Sequence, residues 1–264
     1  LLIGGGVAAV IAALDGFCIE PRWLRITEYD VPVMRLPKLL DGYRIAQITD
    51  AHLKHIGLVE EAILREIESR NVQLVVLTGD IIDNPARIGV LEEFCRNLQG
   101  TRRTILATLG NWEHLSHVPI EVLKRKYFDQ SINLLINGSE LVDSSIRVAA
   151  ADDLIGGDVR LDRALKGNAA AAVNLFLTHS PELLDRIPAT AGPFDLALAG
   201  HTHGGQCRIG SFAPVRPPGS GRFVSGWYDI PIGRAYVSCG TGTSMIPIRI
   251  ACRPELPIFT LRQG

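Results

Sequence analysis

At 264 residues, with 47% hydrophobic and 21% charged side chains, the chain can bury a sizeable core and does not read as disordered. Lys+Arg 27 against Asp+Glu 28 leave a formal net charge of -1, so neither a basic surface for nucleic acid nor a charged interaction tail is indicated. The five cysteines (18, 95, 207, 239, 252) form no C-x-x-C pair, which argues against a thiolate zinc site and for unpaired thiols.

The chain opens with "LLIGGGVAAVIAAL", fourteen uncharged residues before Asp15. A bilayer span takes roughly 20 apolar residues. Residues 1–20 are therefore read as the remnant of a signal sequence or membrane anchor, and 21–264 as a single domain. A buried helix or strand is the competing reading, and three consecutive glycines weaken it.

From residue 43 a regular alternation sets in. Apolar runs rich in β-branched residues at 43–50, 73–80, 104–110, 173–179 and 195–200 predict buried strands. Between the first three, 58–70 and 87–98 carry one apolar face each and predict helices, and 120–128 predicts another. Strand–helix–strand order predicts right-handed βαβ units. The stretch 134–153 reads as a hairpin turning near Asn137–Gly138. Short β runs in the Gly- and Pro-rich tail (235–240, 246–252, 257–262) predict a second, more antiparallel sheet packed on the first. The fold class is thus α/β.

The chemistry-bearing residues gather at the ends of the predicted strands. The first run ends in "TDAHLKH", with Asp50 and His52 two apart; the second ends in "TGDIIDN", with Asp80 behind Gly79. The third ends in "LGNWEHLSH", with Asn111 behind Gly110; the fourth delivers His179 and the fifth, "AGHTHGGQ", His201 and His203. A lone histidine after a strand is more often a hydrogen-bonded surface residue, and an Asp after Gly more often a turn or cap. Five successive strand ends together are different, because carboxyl edges of α/β sheets are where ligands bind. Nitrogen and carboxylate donors without thiolates suit Zn, Mn or Fe, and seven of them exceed what one ion needs. Two ions about 3.5–4 Å apart sharing a carboxylate make a site for phosphate-ester hydrolysis.

D-x-H, G-D-x-x-D, G-N, a lone His and G-H-T-H, in that order over residues 50–203, resemble the calcineurin-like metallophosphoesterases. The tail "YVSCGTGTS…PIRIACRPE" is similar to a bacterial, envelope-associated branch of them. The resemblance implies a two-sheet β sandwich flanked by helices, a four-layer αββα fold. It implies that Asp50, His52 and His203 hold one divalent ion, that Asn111, His179 and His201 hold a second, and that Asp80 bridges them. A metal-bound hydroxide would then attack phosphorus in line.

The family pattern is usually G-N-H-[DE], whose histidine helps protonate the leaving group; here that position is Trp112, followed by Glu113 and His114. Asp80, Glu113 and His114 are the catalytic candidates. His114 could replace the missing acid, the site could work without one, or the protein could bind a phosphorylated ligand with little turnover. General acid–base help is worth ~10²–10⁴-fold, and matters least when the leaving group is already a stable anion. Trp112 offers an apolar face for a base or lipid chain, or simply plugs the cleft floor. His55 and His117 are read as solvated loop residues, Asp83 and Asn84 as turn formers, Asp152 and Asp153 as caps. "GTGTS" (240–244) reads as a turn, and Gly204, Gly205 and Gln206 as bringing backbone close to the metals.

The expectation is a two-metal phosphohydrolase for phosphodiester or pyrophosphate bonds, acting on a phosphorylated small molecule or a lipid-linked substrate. It would be exported or associated with a bacterial membrane through its N-terminus. The alternatives are a phosphomonoesterase with His114 as acid and a catalytically weak binding or sensing protein.

Overall fold

A parallel strand covered on both faces needs apolar side chains at successive positions, and three central runs supply them. In the computed structural model, which describes residues 14–100, 103–166, 171–210 and 212–264, these runs are β2 (Arg44–Ile48), β3 (Leu74–Thr78) and β4 (Thr104–Thr108). Their side chains alternate between two cores. Ile45, Leu74, Val76 and Leu106 point between the sheets; Ala46, Ile48, Val75, Leu77, Ile105 and Ala107 point toward the helices.

The first sheet adds β1 (Arg25–Val33), β5 (Asn133–Leu134) and β12 (Glu255–Gln263), in the order β1-β12-β2-β3-β4-β5. Only the β12–β2 pairing is antiparallel. The second sheet runs β10-β11-β9-β8-β7-β6. Its strands are β6 (Gly138–Val142), β7 (Ile146–Ala150), β8 (Val173–Leu177), β9 (Phe194–Ala199), β10 (Gly226–Ile230) and β11 (Gly233–Val237). The four inner strands are mutually parallel and the two edges antiparallel.

Helices α1 (Leu58–Ser69), α2 (Ile88–Leu98) and α4 (Ile120–Asp129) bury Ile63, Ile67, Leu91, Phe94, Leu123 and Tyr127 on the outer face of the first sheet. Two short helices, α3 (Asn111–Leu115) and α5 (Leu161–Ala164), complete the α-helices among the described residues, Leu14 apart. Leu183, Leu184, Ile187 and Phe223 cover the outer face of the second sheet. The architecture is the expected two-sheet sandwich flanked by helices.

Four local expectations are corrected. The β6–β7 hairpin turns at Asp143–Ser145, where Asp143 and Ser144 have φ of 47 and 56°. Asn137 instead uses its side chain to accept from Asp152 N and Arg160 N. The second sheet is mainly parallel, because the tail contributes only β10 and β11 to it, while β12 crosses to the first sheet. Residues 246–252 form no strand. They wrap the buried Arg249, whose guanidinium donates to the carbonyls of Cys239, Gly240, Gly242 and Cys252. Finally, β1 was not anticipated.

The uncharged stretch 1–13 lies outside the described residues. Residues that follow it pack on the domain: Gly16 O accepts from Arg249 N at 2.9 Å, and the buried Glu20 carboxylate accepts from Ala251 N at 2.9 Å and from Cys252 N. No helix among the described residues is long and apolar enough to cross a membrane.

Arg249 braces the 239–242 segment, which bonds back to Thr49 O and Asp50 O through Thr241 N and Gly242 N. Substituting Arg249→Met leaves the carbonyls of Cys239, Gly242 and Cys252 without donors, while Gly240 O keeps Glu255 N, at ~1–3 kcal/mol per orphaned group. Calorimetry should show the melting temperature fall by about 5–10 °C, given about 2–4 °C per kcal/mol at this size. A fall below about 2 °C would mean that the carbonyls find other partners.

Candidate metal centre

Each chemistry-bearing residue follows the carboxyl end of a strand, but the strands divide between two sheets. Asp50, His52, Asp80 and Asn111 follow β2, β3 and β4; His179, His201 and His203 follow β8 and β9 of the second sheet. The sandwich brings the two edges face to face, and all seven side chains are buried.

Two groups form. Asp50, His52 and His203 offer ligand atoms within 4.8 Å of one another, and so do Asp80, His179 and His201. His52 Nε2 lies 3.2 Å from His203 Nε2, which is 3.4 Å from Asp50 Oδ1. In the second group His179 Nε2 lies 3.2 Å from His201 Nδ1 and 3.2 Å from Asn111 Oδ1. Asp80 Oδ2 stands between the groups, 3.1 Å from His179 Nε2 and 3.9 Å from His52 Nε2.

The backbone is bent to achieve this. Asp50, His52, Asp80, His201 and His203 all adopt left-handed φ, between 43 and 71°. Such a conformation costs a residue with a side chain ~1–2 kcal/mol, and its clustering at one place marks a functional site. Two glycines allow the close approach. A Cβ on Gly110 would collide with the Asp80 carboxylate, and one on Gly200 with Thr49 and the Asp50 carboxylate. Gly204 and Gly205, expected in that role, pack instead against Cys239, Cys252 and Ala213, while Gln206 holds the 244–246 segment through Ser244 and Ile246.

Partners behind the cluster orient the rings. His179 Nδ1 donates to Thr78 O at 2.8 Å and His201 Nε2 to Pro218 O at 2.6 Å, so the opposite nitrogens face the cluster with their lone pairs. His52 Nδ1 is 3.4 Å from Asp83 Oδ2, giving the carboxylate–histidine arrangement common behind metals. Asp83, expected to form the turn, stands here instead, and its spacing three after Asp80 is the sequence signal for it. Asn84 does form the turn, accepting from Ala86 N at 2.9 Å.

Glu113 differs from its expected catalytic role. It is 1% exposed, and its two oxygens accept from Gly110 N, Asp80 N and Ile81 N at 2.6–2.8 Å and Ile82 N at 3.3 Å. No oxygen is left for a substrate; it positions the loops after β3 and β4. Burial and the neighbouring Asp80 charge push its carboxyl up to about 6, against the pull of the backbone donors. His114 Nε2 pairs with Asp152 Oδ1 at 2.8 Å. That bond raises the imidazole above its ordinary range despite partial burial. Asp153 caps as expected, accepting from Ile155 N and Gly156 N, while Asp152 also accepts from Asp153 N and Asp158 N. Trp112 is half-buried, its ring 6.1 Å from the His52 ring and edge-on, its backbone N donating to Asp80 Oδ1 at 2.8 Å. His55 and His117 are exposed.

The donor set fits divalent metal ions. His203 Nδ1 is buried with no hydrogen-bond partner, and imidazole nitrogens face one another at 3.2 Å where cations would satisfy both. Burial, then the neighbouring His179, lower the pKa of His201, and burial and His52 lower that of His203; the carboxylates beside them outweigh burial and raise those of His179 and His52. Burial also opposes the Asp80 charge, but His179 and His52 outweigh it and hold the carboxyl below its usual range.

Comparison with known proteins agrees with this geometry. The chain is 28% identical to the metallophosphoesterase YkuE of Bacillus subtilis, over 99% of this chain and 95% of that one. It is 27% identical to the phosphodiesterase YaeI of Escherichia coli, over 96% of each chain. A zebrafish (Danio rerio) protein named as a transmembrane protein with metallophosphoesterase domain is 26% identical over 98% of this chain and 62% of its own length. The profile of calcineurin-like phosphoesterases matches residues 43–205, which include all seven converging residues. With most of its length so matched, the chain belongs to the calcineurin-like phosphoesterase family and is a metallophosphoesterase.

Proposed function

We propose that this protein hydrolyses phosphodiester or pyrophosphate bonds at a two-metal centre built from Asp50, His52 and His203 on one side and Asn111, His179 and His201 on the other, with Asp80 shared. The position of Asp80 Oδ2 between the two His/Asp groups carries this reading. Divalent ions such as Mn, Zn or Fe, when bound, supply the Lewis acidity that activates water and neutralises phosphoryl oxygens.

The protein's own contribution is positional. Glu113 fixes Asp80 and Asn111 relative to each other, Thr78 and Pro218 fix two imidazoles, and half-buried Trp112 stands edge-on beside His52. Trp112 carries no titratable proton, and His114 is engaged with Asp152. A leaving group that departs as a stable anion suits such a site, which favours pyrophosphates and acidic diesters over alkyl monoesters. The His114–Asp152 pair is the observation that supports the alternative, a monoesterase with His114 as acid. Membrane association through the N-terminus belongs to the same reading. It is supported by the uncharged first fourteen residues and by the transmembrane name of the zebrafish relative.

Manganese-loaded protein should hydrolyse bis(p-nitrophenyl) phosphate, and a chelator should abolish turnover. Asn111→Ala should lower kcat/KM by about 100-fold or more, since even partners behind a metal cost 10–100-fold. Stoichiometric metal without turnover would favour the binding or sensing alternative.

His114→Ala separates the two hydrolase readings. Diester turnover should fall by less than about 10-fold, below the ~10²–10⁴-fold expected of a general acid. A loss of a hundredfold or more would make His114 the acid.

A further inference from the structure

A cavity of about 320 Å³ opens directly beside the metal centre, with His52 in its wall. Phe17, Pro21, Leu58 at the start of α1 and Pro247 supply apolar parts of its lining. Phe17 and Leu58 are 44% and 66% exposed, so the fold leaves large apolar side chains facing this opening without burying them. Met245 and Ile246, 90% and 56% exposed, precede Pro247 in the chain.

Most polar groups in the cavity wall are already engaged; besides Lys54, the exceptions are the side chains of His55 and Thr243. Thr241 N and Oγ1 both bond Thr49 O, Gly242 N bonds Asp50 O, and Gly242 O accepts from Arg249. Glu60 Oε2 accepts from Gly57 N, and Arg22 donates to Phe17 O and Cys18 O. A nucleobase or sugar needs free donors and acceptors in fixed places, and leaving its own unpaired is costly. A hydrocarbon needs only carbon to displace water from. Lys54, exposed at the same cavity, adds a positive charge suited to an anionic head.

We propose that this cavity receives an alkyl chain of the substrate, so that the phosphate attacked at the metal centre belongs to an anionic amphiphile. The assignment rests on the hydrolase reading above and makes Phe17 and Leu58 specificity-determining residues. Both would be covered when a substrate chain occupies the cavity.

The test is a series of alkyl p-nitrophenyl phosphodiesters (methyl, butyl, octyl) below their micellar concentrations, with manganese-loaded protein. The leaving group is constant, so only the chain varies. Each buried methylene should raise kcat/KM by about three- to fourfold until the cavity is filled, and the octyl-to-methyl ratio should exceed about 30. Leu58→Asp and Phe17→Ser should each reduce that ratio to below about 5. An acidic residue at the first position of α1 is favourable to the helix, so Leu58→Asp is expected to fold.

A ratio near one with good turnover overturns the proposal and leaves the hydrolase reading standing. Preference for thymidine 5′-(p-nitrophenyl phosphate) over the octyl ester overturns it in favour of a base pocket. If no ester is turned over, the hydrolase reading fails, and calorimetry with octylphosphonate against methylphosphonate decides the cavity. Tighter octylphosphonate binding that is lost in Leu58→Asp upholds it, and equal or absent binding overturns it.

Discussion

One buried carboxylate holds together the strand ends on which the centre is built. Glu113 gathers the N–H groups of Gly110, Asp80 and Ile81, with Ile82 at longer range, and so ties the loop after β3 to the loop after β4. Those loops carry Asp80 and Asn111. An ionised carboxylate taken out of water is costly unless its lone pairs are satisfied, and charge-assisted bonds to backbone donors are among the stronger ones available. The same burial, next to Asp80, raises the Glu113 carboxyl to about 6. The loops are thus held by a group that itself resists ionisation, and the surrounding N–H groups are what keep it in place.

The rest of the centre is an assembly of costs accepted in the same way. Five residues sit in left-handed backbone, the side chains of Asp50 and Asp80 are buried, and four imidazoles meet in two pairs, each within hydrogen-bond range. Backbone bonds offset part of this. Asp50 N reaches Gly79 O, His52 N reaches Asp80 O, and both Asp50 oxygens accept from His201 N. Bonds between neighbouring strand ends of the first sheet, and from His201 of the second sheet to Asp50, therefore stabilise the arrangement. Divalent cations are the natural complement to such a concentration of nitrogen and carboxylate donors.

Much of this was legible in the sequence, for a physical reason. Strands buried on both faces must be apolar throughout, so 43–50, 73–80, 104–110, 173–179 and 195–200 stood out, and whatever polar residue ended each run stood out with them. The division of these strands between two sheets was not legible, because parallel strands of either sheet look alike. β1 was hidden by its half-exposed side chains, including Glu28 and Asp30. The turn at Asp143–Ser145 was missed because Asn137–Gly138 carries the stronger local turn signal, which the fold uses for side-chain bonds to Asp152 and Arg160. Glu113 and Arg249 act through partners distant in sequence, and no local pattern announces such bonds.

The placement of β12 bears on how the molecule is made. β12 lies between β1 and β2, and Arg25 meets Glu255 across 230 residues of intervening chain. During synthesis, β1 and β2 leave the ribosome early, yet the slot between them can be filled only after residues 255–263 emerge. At ~5–20 residues per second that interval is on the order of tens of seconds. Throughout it, two strand edges stand open to wrong partners, while Asp50 and His52 at the end of β2 are already present. Gly240 and Gly242, which pack on and bond to Asp50, arrive just before β12. The nascent chain therefore carries unpaired strand edges while Asp50 still lacks its contacts with Gly240 and Gly242, so protection of those edges would also protect the unfinished candidate centre.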